Sequence, residues 1–247
     1  MTVFDLSGRV ALVTGAGQNV GAGIARALAA QGATVVVNDA VAERAVAVAN
    51  EIGASAAPFD VTDFEAVAAG VRHVADTIGH IDILVNNAGN GGIGGLVPTK
   101  FRDLDPAAWD GPVKVNLYGV LNCCKAVIDH MCEQGWGRII TIGSGAGTSG
   151  VSIGVSAYSA GKGGGIAFTR SLALEVARTG VTANSLALGV MPVANRTSAT
   201  TALAESIPVG RIGTPSDAGY ACVWLASNEA GWVTGQTIHI NGGSITT

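Results

Sequence analysis

The segment from Val10 to Asp39 restricts the fold of this chain more than any other stretch. A short apolar run, VALVT, precedes the glycine-rich sequence GAGQNVG at residues 15–21, and helical apolar spacing follows in GIARALAAQG. The next apolar run, TVVVND, ends in the carboxylate of Asp39. The order of strand, glycine turn, helix and strand is typical of a parallel α/β sheet. We therefore predict that this segment forms the first βαβ unit of such a sheet.

The same unit predicts a dinucleotide site. Glycines allow the backbone to approach a pyrophosphate, and the N-terminus of the following helix stabilises its negative charge. Asp39 follows Gly15 by 24 residues, which is the position of an acid that binds a ribose 2′-hydroxyl. The alternative for Asp39 is a solvated turn residue.

The alternation of strands and helices continues to the end of the sequence. Further helices are predicted at 42–52, 65–78, 107–133, 158–178 and 215–227, and further strands at 55–60, 81–86, 138–142, 182–188 and 236–240. With no break in composition, this pattern implies one parallel sheet covered on both faces. We predict an α/β, single-domain Rossmann fold over residues 1–247, with a doubly wound seven-stranded parallel sheet. We expect a flexible loop at 89–95 and an irregular substrate lid at about 190–208.

Composition excludes several classes of function. Apolar residues make up 48% of the chain and charged residues 13%, which indicates a globular protein rather than a disordered one. A net charge of −4 without a basic cluster argues against a nucleic-acid partner. We see neither a signal-peptide pattern nor a run of 18 apolar residues, and so expect no membrane association and a cytoplasmic location. The four cysteines and four histidines lack metal-ligand spacing, and no metal is predicted.

A serine, a tyrosine and a lysine form the second informative pattern. Tyr158 and Lys162 are spaced to lie on one helical face, one turn apart. A fixed ammonium about 4 Å from the phenol would lower its pKa by about three units, or roughly 4 kcal/mol. Ser144 can add a hydrogen bond to the phenolate or to a substrate oxygen. Such a set suits proton transfer at an alcohol or carbonyl, although Tyr-x-x-x-Lys also occurs by chance in helices.

The sequence around Lys162 is unusual for a helix. Gly161, Gly163, Gly164 and Gly165 surround it, and each glycine costs about 1 kcal/mol relative to alanine in a helix. A helix at this place therefore needs an external reason, such as close backbone approach to a ligand or to another helix.

With these motifs in hand, the chain resembles the short-chain dehydrogenase/reductase family over nearly its full length. The motifs that match are Thr14-Gly15 with Gly21, Asp60-Val61, Asn86-Asn87-Ala88-Gly89, Lys114-Val115-Asn116, Ser144, Tyr158-x-x-x-Lys162, Val233 to Thr237 and Asn241-Gly242-Gly243.

The resemblance implies a catalytic tetrad of Asn116, Ser144, Tyr158 and Lys162. In it, Tyr158 is the acid/base, Ser144 positions the substrate oxygen, Lys162 holds the nicotinamide ribose and lowers the phenol pKa, and Asn116 supports a water relay to the lysine. The implied cofactor contacts are Gly15, Gln18, Asn19, Val20, Gly21, Asp39, Asp60, Val61, Asn87, Ala88, Gly89, Tyr158, Lys162, Gly189 and Met191.

The chain also departs from the family pattern. Asn19 replaces the middle glycine of the turn, and asparagine tolerates a left-handed backbone better than most residues. Leu188 stands where proline usually precedes Gly189, Val193 replaces a threonine, and Gly143 replaces the serine before Ser144. The spacing between the serine and the tyrosine is one residue longer than usual.

From the resemblance we expect an NAD(H)-dependent oxidoreductase that interconverts a secondary alcohol and a ketone. The alternatives are a 3-oxoacyl-thioester (acyl carrier protein) reductase, which usually needs NADPH and is disfavoured by Asp39, and a non-catalytic NAD-binding scaffold. A homotetramer is also expected, assembled through helices 107–133 and 158–178 and the last strand. The apolar residues Ile166, Phe168 and Leu172 fit such a contact and fit an ordinary core equally well.

Overall fold

A seven-stranded sheet forms the centre of the protein. The computed structural model describes residues 3–89, 95–191 and 198–246. The strands lie in the order β3-β2-β1-β4-β5-β6-β7, and neighbouring strands pair in parallel. They are β1 (Val10–Val13), β2 (Thr34–Val37), β3 (Ser55–Ala56), β4 (Ile83–Asn86), β5 (Gly137–Ser144), β6 (Val181–Leu188) and β7 (Thr237–Ile240). The predicted doubly wound Rossmann fold is thereby confirmed.

Helices cover both faces of this sheet. They are α1 (Asn19–Ala30), α2 (Ala42–Ile52), α3 (Phe64–Thr77), α4 (Asp110–Val113), α5 (Gly119–Glu133), α6 (Ser156–Val176), α7 (Ser198–Glu205) and α8 (Pro215–Ala226). One apolar core joins the sheet to α1, α2 and α8, and a second joins it to α3, α5 and α6. Across the described ranges, every helix is too short or too polar to cross a membrane.

The strand order places a crevice beside the first strand. β1 pairs with β2 on one side and with β4 on the other, so the chain builds the sheet outward in two directions from this point. In a parallel sheet the loops that leave two such strands diverge at their carboxyl ends and open a crevice between them. The segments that follow β1 and β4, which contain Gly15 and Asn87, therefore face each other.

The third strand is much shorter than predicted. We expected a strand that ends near Asp60, but β3 contains only Ser55 and Ala56. Pro58 has no backbone N–H to donate to a neighbouring strand. The carbonyls of Ala57 and Phe59 instead accept hydrogen bonds, both at 3.0 Å, from the side-chain Nδ2 of Asn38. A side chain thus replaces the strand pairing at this edge of the sheet.

The long helix predicted at 107–133 is interrupted near Asn116. A 3₁₀ turn at Pro106–Trp109 leads into α4, and a π turn at Lys114–Tyr118 separates α4 from α5. Nδ2 of Asn116 donates a 2.7 Å hydrogen bond to the Pro112 carbonyl, four residues earlier. Short π turns occur frequently at functional sites, because they change the direction in which side chains project.

Close packing explains the glycines of α6. A Cβ placed on Gly161 would lie 2.8 Å from the Pro112 carbonyl oxygen and 3.1 Å from Cβ of Asn116. One turn later, a Cβ on Gly165 would lie 3.0 Å from the Asn116 carbonyl oxygen. The predicted external reason for a glycine-rich helix is therefore a neighbouring helix, which α6 meets at the π turn.

Two expected irregular segments are only partly described. Residues 90–94 of the predicted loop at 89–95, and residues 192–197 of the predicted lid, including Val193 and Arg196, lie outside the described residues. The prediction that the lid is irregular throughout is wrong, because Ser198–Glu205 form helix α7. Its sequence, SATTALAE, contains three alanines, which have the highest helix propensity of all residues.

The packing of α6 predicts that alanine substitutions at two of its glycines have different effects on the stability of the protein. Gly161→Ala should destabilise the protein by about 1–3 kcal/mol, because the new methyl meets a backbone oxygen that cannot move away. Gly164→Ala should leave stability unchanged or raise it by up to about 1 kcal/mol, because its nearest neighbours are the mobile methyl groups of Leu117 at 3.3 Å. Urea unfolding of both variants measures this, and equal effects would contradict the packing argument.

Candidate active site

A cavity of about 560 Å³ opens at the carboxyl ends of the central strands. It lies over the crevice between β1 and β4 and extends towards the ends of β5 and β6. All fifteen residues that the resemblance implies as cofactor contacts line it, from Gly15 and Asp39 at one end to Gly189 and Met191 at the other. Additional residues in its wall are Asn38, Ala40, Arg44, Phe59, Thr62, Gly111, Lys114, Val115, Ile142, Gly143, Ser144 and Leu188.

The glycine turn brings two strand ends into direct contact. A Cβ on Gly15, whose φ is +60°, would lie 2.7 Å from Cα of Ala88. Asn19 has a φ of +48°, so the asparagine that replaces a glycine does adopt the left-handed conformation. No side chain caps the first turn of α1, and residues 18–21 line the cavity. Backbone N–H groups at this helix end can therefore receive an anion such as a pyrophosphate.

Hydrogen bonds fix the two sides of the crevice relative to each other. Oγ1 of Thr14 accepts from the backbone N–H groups of Asn87 and Ala88, at 3.0 and 3.1 Å. Nδ2 of Asn87 donates in the opposite direction to the carbonyls of Thr14 and Gly15, at 2.8 and 2.9 Å. These contacts are made within the protein, so the floor of the cavity is organised before a ligand binds.

Asp39 is buried at the far end of the cavity. Its Oδ2 accepts from Gly17 N at 3.2 Å and its Oδ1 from Val41 N at 3.0 Å. The structure therefore does not support the alternative of a solvated turn residue, because the side chain is only 7% exposed. Each carboxylate oxygen has further lone pairs, so a ribose hydroxyl can still donate to it.

Sequence reasoning missed two residues at this end. Asn38 ties the glycine turn to the neighbouring segment, since its carbonyl accepts from Ala16 N at 2.7 Å while its amide holds the Ala57 and Phe59 carbonyls. Arg44, in the first turn of α2, reaches the cavity from an exposed position. The position of Asn38 directly after the apolar run TVVV was a signal for it, but Arg44 is one of several charged residues on a helix and had none.

Ser144, Tyr158 and Lys162 line the opposite part of the same cavity. Ser144 is the last residue of β5, and the other two lie one turn apart on α6, as predicted. Burial raises the pKa of Tyr158, and the nearby Ser144 hydroxyl opposes that rise. At neutral pH the phenol is therefore protonated and able to donate.

The ammonium of Lys162 has a different partner from the one we expected. Its Nζ donates a 2.6 Å hydrogen bond to the carbonyl of Ile142 on β5. Burial without a carboxylate lowers the pKa of Lys162 to about 8. Desolvation is the largest influence on the Tyr158 pKa in this structure, and Lys162 is directed to the strand, so the effect of Lys162 on the phenol stays a prediction.

Asn116 lies behind the cavity wall rather than in it. A Cβ on Gly89 would lie 2.7 Å from Oδ1 of Asn116 and 2.8 Å from Nζ of Lys162. These two polar atoms therefore face the same point, and only a glycine at position 89 allows it. The structure thus brings all four residues of the predicted tetrad into one neighbourhood, with Asn116 next to the lysine and Ser144 next to the tyrosine.

Two further kinds of reactive group are relevant in the described part of the chain, namely metal-ligand clusters and buried cysteines. No cluster of three or more metal-ligating side chains occurs there. Cys123, Cys124 and Cys222 are buried, and burial raises the pKa of the Cys124 thiol to about 12. A thiol with such a pKa does not act as a nucleophile at neutral pH.

Known proteins match this chain over most of its length. Residues 15–244 match the family model described as Enoyl-(Acyl carrier protein) reductase. The chain is 41% identical to Nodulation protein G of Azospirillum brasilense, over 96% of this chain and 98% of that protein. It is 38% identical to the 3-oxoacyl-[acyl-carrier-protein] reductase FabG of Vibrio harveyi, over 97% and 98%. The crystal structure of a gluconate 5-dehydrogenase from Burkholderia cenocepacia, in complex with NADP and tartrate, matches with a TM-score of 0.90 and 34% identity, over 98% and 96%.

The burial of Lys162 makes a pH-dependent prediction for the protein without added cofactor. A pKa lowered from 10.5 to about 8 corresponds to roughly 3 kcal/mol of unfavourable burial of the charged form. Lys162→Met should therefore raise the free energy of unfolding at pH 7 by about 1–2 kcal/mol, because the loss of the Ile142 hydrogen bond offsets part of the gain.

The sign of the pH effect follows from proton binding. Between pH 8 and 10.5 the unfolded chain binds more protons at this lysine than the folded chain, so wild-type stability rises with pH and the difference between the proteins shrinks. Urea unfolding at pH 7 and pH 10 measures this difference in the free energy of unfolding between the wild type and Lys162→Met. Lys125→Met, at an exposed residue paired with Asp129, is the control and should show little change at either pH.

Proposed function

We propose that this chain, which belongs to the short-chain dehydrogenase/reductase family and is an oxidoreductase of CH–OH and keto groups, uses NAD(H) and the residues Ser144, Tyr158 and Lys162 to interconvert a secondary alcohol and a ketone. One observation carries the proposal. The glycine turn with Asp39 and the pair Ser144–Tyr158 line two ends of a single cavity, so a cofactor bound along it would present its reactive end to a proton donor.

Tyr158 is the residue that we propose to move the proton. Its phenol is half-buried and protonated at neutral pH, and it can donate to the oxygen of a ketone as negative charge develops there. Ser144, whose hydroxyl lies near the phenol, would orient that proton and donate to the same substrate oxygen. The nicotinamide, when bound, supplies or accepts the hydride.

Lys162 and Asn116 support this proton transfer by Tyr158. A buried ammonium next to the cavity stabilises negative charge on a phenolate or alkoxide through a low-dielectric path. Its pKa of about 8 also allows it to exchange a proton near neutral pH. Asn116 Oδ1 faces the same point as the ammonium and can hold a water in register with it, which supports the proposed relay.

The choice of NAD(H) over NADP(H) rests on Asp39. A 2′-phosphate next to this buried carboxylate would meet repulsion of several kcal/mol at an effective dielectric near 20, whereas a 2′-hydroxyl can donate to it. Residues 16–20 and Ala40 contain no arginine or lysine that would neutralise such a phosphate.

The relatives of this chain support two different substrate classes. Similarity to FabG supports reduction of a 3-oxoacyl thioester, and similarity to a gluconate 5-dehydrogenase supports oxidation of a polyhydroxy acid. Absorbance at 340 nm with NAD(H) and NADP(H) would separate these, with acetoacetyl-coenzyme A, the corresponding acyl carrier protein thioester, gluconate and cyclohexanol as the panel. Cofactor binding without turnover of any panel compound would favour the scaffold alternative.

Assembly into a homotetramer is also proposed, together with a cytoplasmic location and a lid at about 190–208. Ile166 and Leu172 lie in the core of the single chain and no longer support assembly. Support comes instead from exposed large side chains on α6, on α8 and shortly before β7, which are Leu174 at 79% exposure, Tyr220 at 71% and Trp232 at 99%. Light scattering at micromolar concentration measures the assembly, and a monomer would contradict it.

Tyr158→Phe tests the assignment of the acid. The change deletes one hydroxyl and keeps the ring, so the fold and NAD binding should be nearly unaltered while kcat falls by about 10²–10⁴-fold. Steady-state rates and cofactor titration on the panel compound that the wild type uses provide the measurement. Tyr220→Phe, at an exposed tyrosine on α8, is the matched control. A Tyr158→Phe enzyme within about threefold of wild type would remove Tyr158 from the proposed mechanism.

Asp39→Asn tests the basis of cofactor choice. The wild type should prefer NAD(H) by at least about tenfold in kcat/KM and in the Kd measured by calorimetry. The variant should narrow this preference, because it removes the charge while keeping one acceptor oxygen for the backbone amides. Asp76→Asn, at an exposed position on α3, controls for the change in net charge. A wild type that prefers NADP(H) would refute the proposal.

A further inference from the structure

The segment after β7 folds back over the carboxyl ends of the strands. Gly242 and Gly243 both have left-handed backbones, with φ of +63° and +88°, and they reverse the chain. The side chain of Asn241 holds the reversal, since its Oδ1 accepts from Gly243 N and its Nδ2 donates to the Ile245 carbonyl, both at 2.9 Å. On the outer side, Val209 N donates to the Gly242 carbonyl at 3.1 Å. The turn at 241–245 is therefore fixed by its own contacts.

This turn places Ile245 against the residue that follows Ser144. Gly145 is buried, and a Cβ on it would lie 2.7 Å from Cδ1 of Ile245. The Ile245 side chain thus occupies the space that a side chain at position 145 would need. Since Gly145 contributes no side chain of its own, Ile245 packs directly on the backbone next to Ser144, the residue that lines the cavity.

Gly145 in turn organises the 3₁₀ turn that positions the Ser144 hydroxyl. Its carbonyl accepts from Thr148 Oγ1 at 3.0 Å and from Ser149 Oγ at 3.1 Å. Within the same turn, Ala146 N donates to Ser144 Oγ at 3.2 Å. The position of the Ser144 oxygen therefore depends on the packing of the turn at 145–147.

We propose that Ile245 is a positioning residue for catalysis, which holds the Ser144 hydroxyl in register with Tyr158 by packing on Gly145. This inference rests on the proposed function, in which Ser144 orients the phenol and the substrate oxygen. A displacement of about 1 Å at a reacting group can reduce the rate by about 100-fold. The residues that grip the dinucleotide lie on other loops, so the effect of Ile245 should fall on kcat rather than on cofactor binding.

Ile245→Ala is the test, with Ile245→Val as the conservative variant. We expect kcat to fall about tenfold on the panel compound used by the wild type, while the Kd for NAD⁺ by calorimetry stays within about twofold. Amide hydrogen exchange of a peptide that covers residues 141–149 should become faster. Ile245→Val should restore most of both properties. Ile52→Ala, the same truncation at a half-buried residue that ends α2 away from the cavity, should change neither.

The outcomes separate this inference from the proposed function. Unchanged exchange in residues 141–149 overturns the inference, as does faster exchange with unchanged kcat. A parallel loss of kcat, NAD⁺ affinity and thermal stability also overturns it, because it indicates a structural role alone. If the wild type turns over none of the panel compounds, the proposed function fails, and the exchange comparison then decides the positioning of the Ser144 turn by itself.

Discussion

The close contact between α6 and the π turn is the constraint on which the site depends. Gly161 and Gly165 lie one turn apart and bring the helix against the backbone at Pro112 and Asn116. Tyr158 and Lys162 each lie three residues before one of these glycines, on the same side of the helix, so the depth of this contact sets how far both side chains reach into the cavity. Each glycine lowers helix stability by about 1 kcal/mol. In return, the close contact fixes the distance from the end of β5 to the side chains of Tyr158 and Lys162.

Burial then determines the protonation of the site. Burial favours the neutral forms of the two α6 side chains at the cavity, since it raises the pKa of the Tyr158 phenol and lowers the pKa of Lys162 to about 8. A neutral phenol suits donation to a ketone, whereas alcohol oxidation needs a base. Since one pKa unit is about 1.4 kcal/mol, a negative charge brought next to Lys162 would raise its pKa and keep the ammonium charged to a higher pH. The protonation of the site therefore depends on what it binds.

The sequence predicted the fold well because alternation and strand-end glycines are local signals. Where it failed, the deciding contact was non-local. The third strand is cut short by Pro58 together with the side chain of Asn38, about twenty residues away in sequence. The π turn at Asn116 exists only together with the glycines of α6, and the partner of Lys162 is a strand carbonyl. Periodicity along one segment carries no information about such contacts, and the resemblance supplied residues without their geometry.

The proposed choice of NAD(H) depends on how strongly two opposite charges, a buried carboxylate and an exposed guanidinium, act on a 2′-phosphate. Asp39 and Arg44 approach the same point, because a Cβ on Gly17 would lie 2.7 Å from Oδ2 of Asp39 and would also collide with Cβ of Arg44. The carboxylate is buried and the guanidinium is exposed. At equal distances near 4 Å, a unit charge contributes about 4 kcal/mol at an effective dielectric of 20 but only about 1 kcal/mol in water. On the proposed preference for NAD(H), repulsion by Asp39 would outweigh attraction by Arg44, so that a 2′-hydroxyl would be favoured over a 2′-phosphate although an arginine lies next to the site.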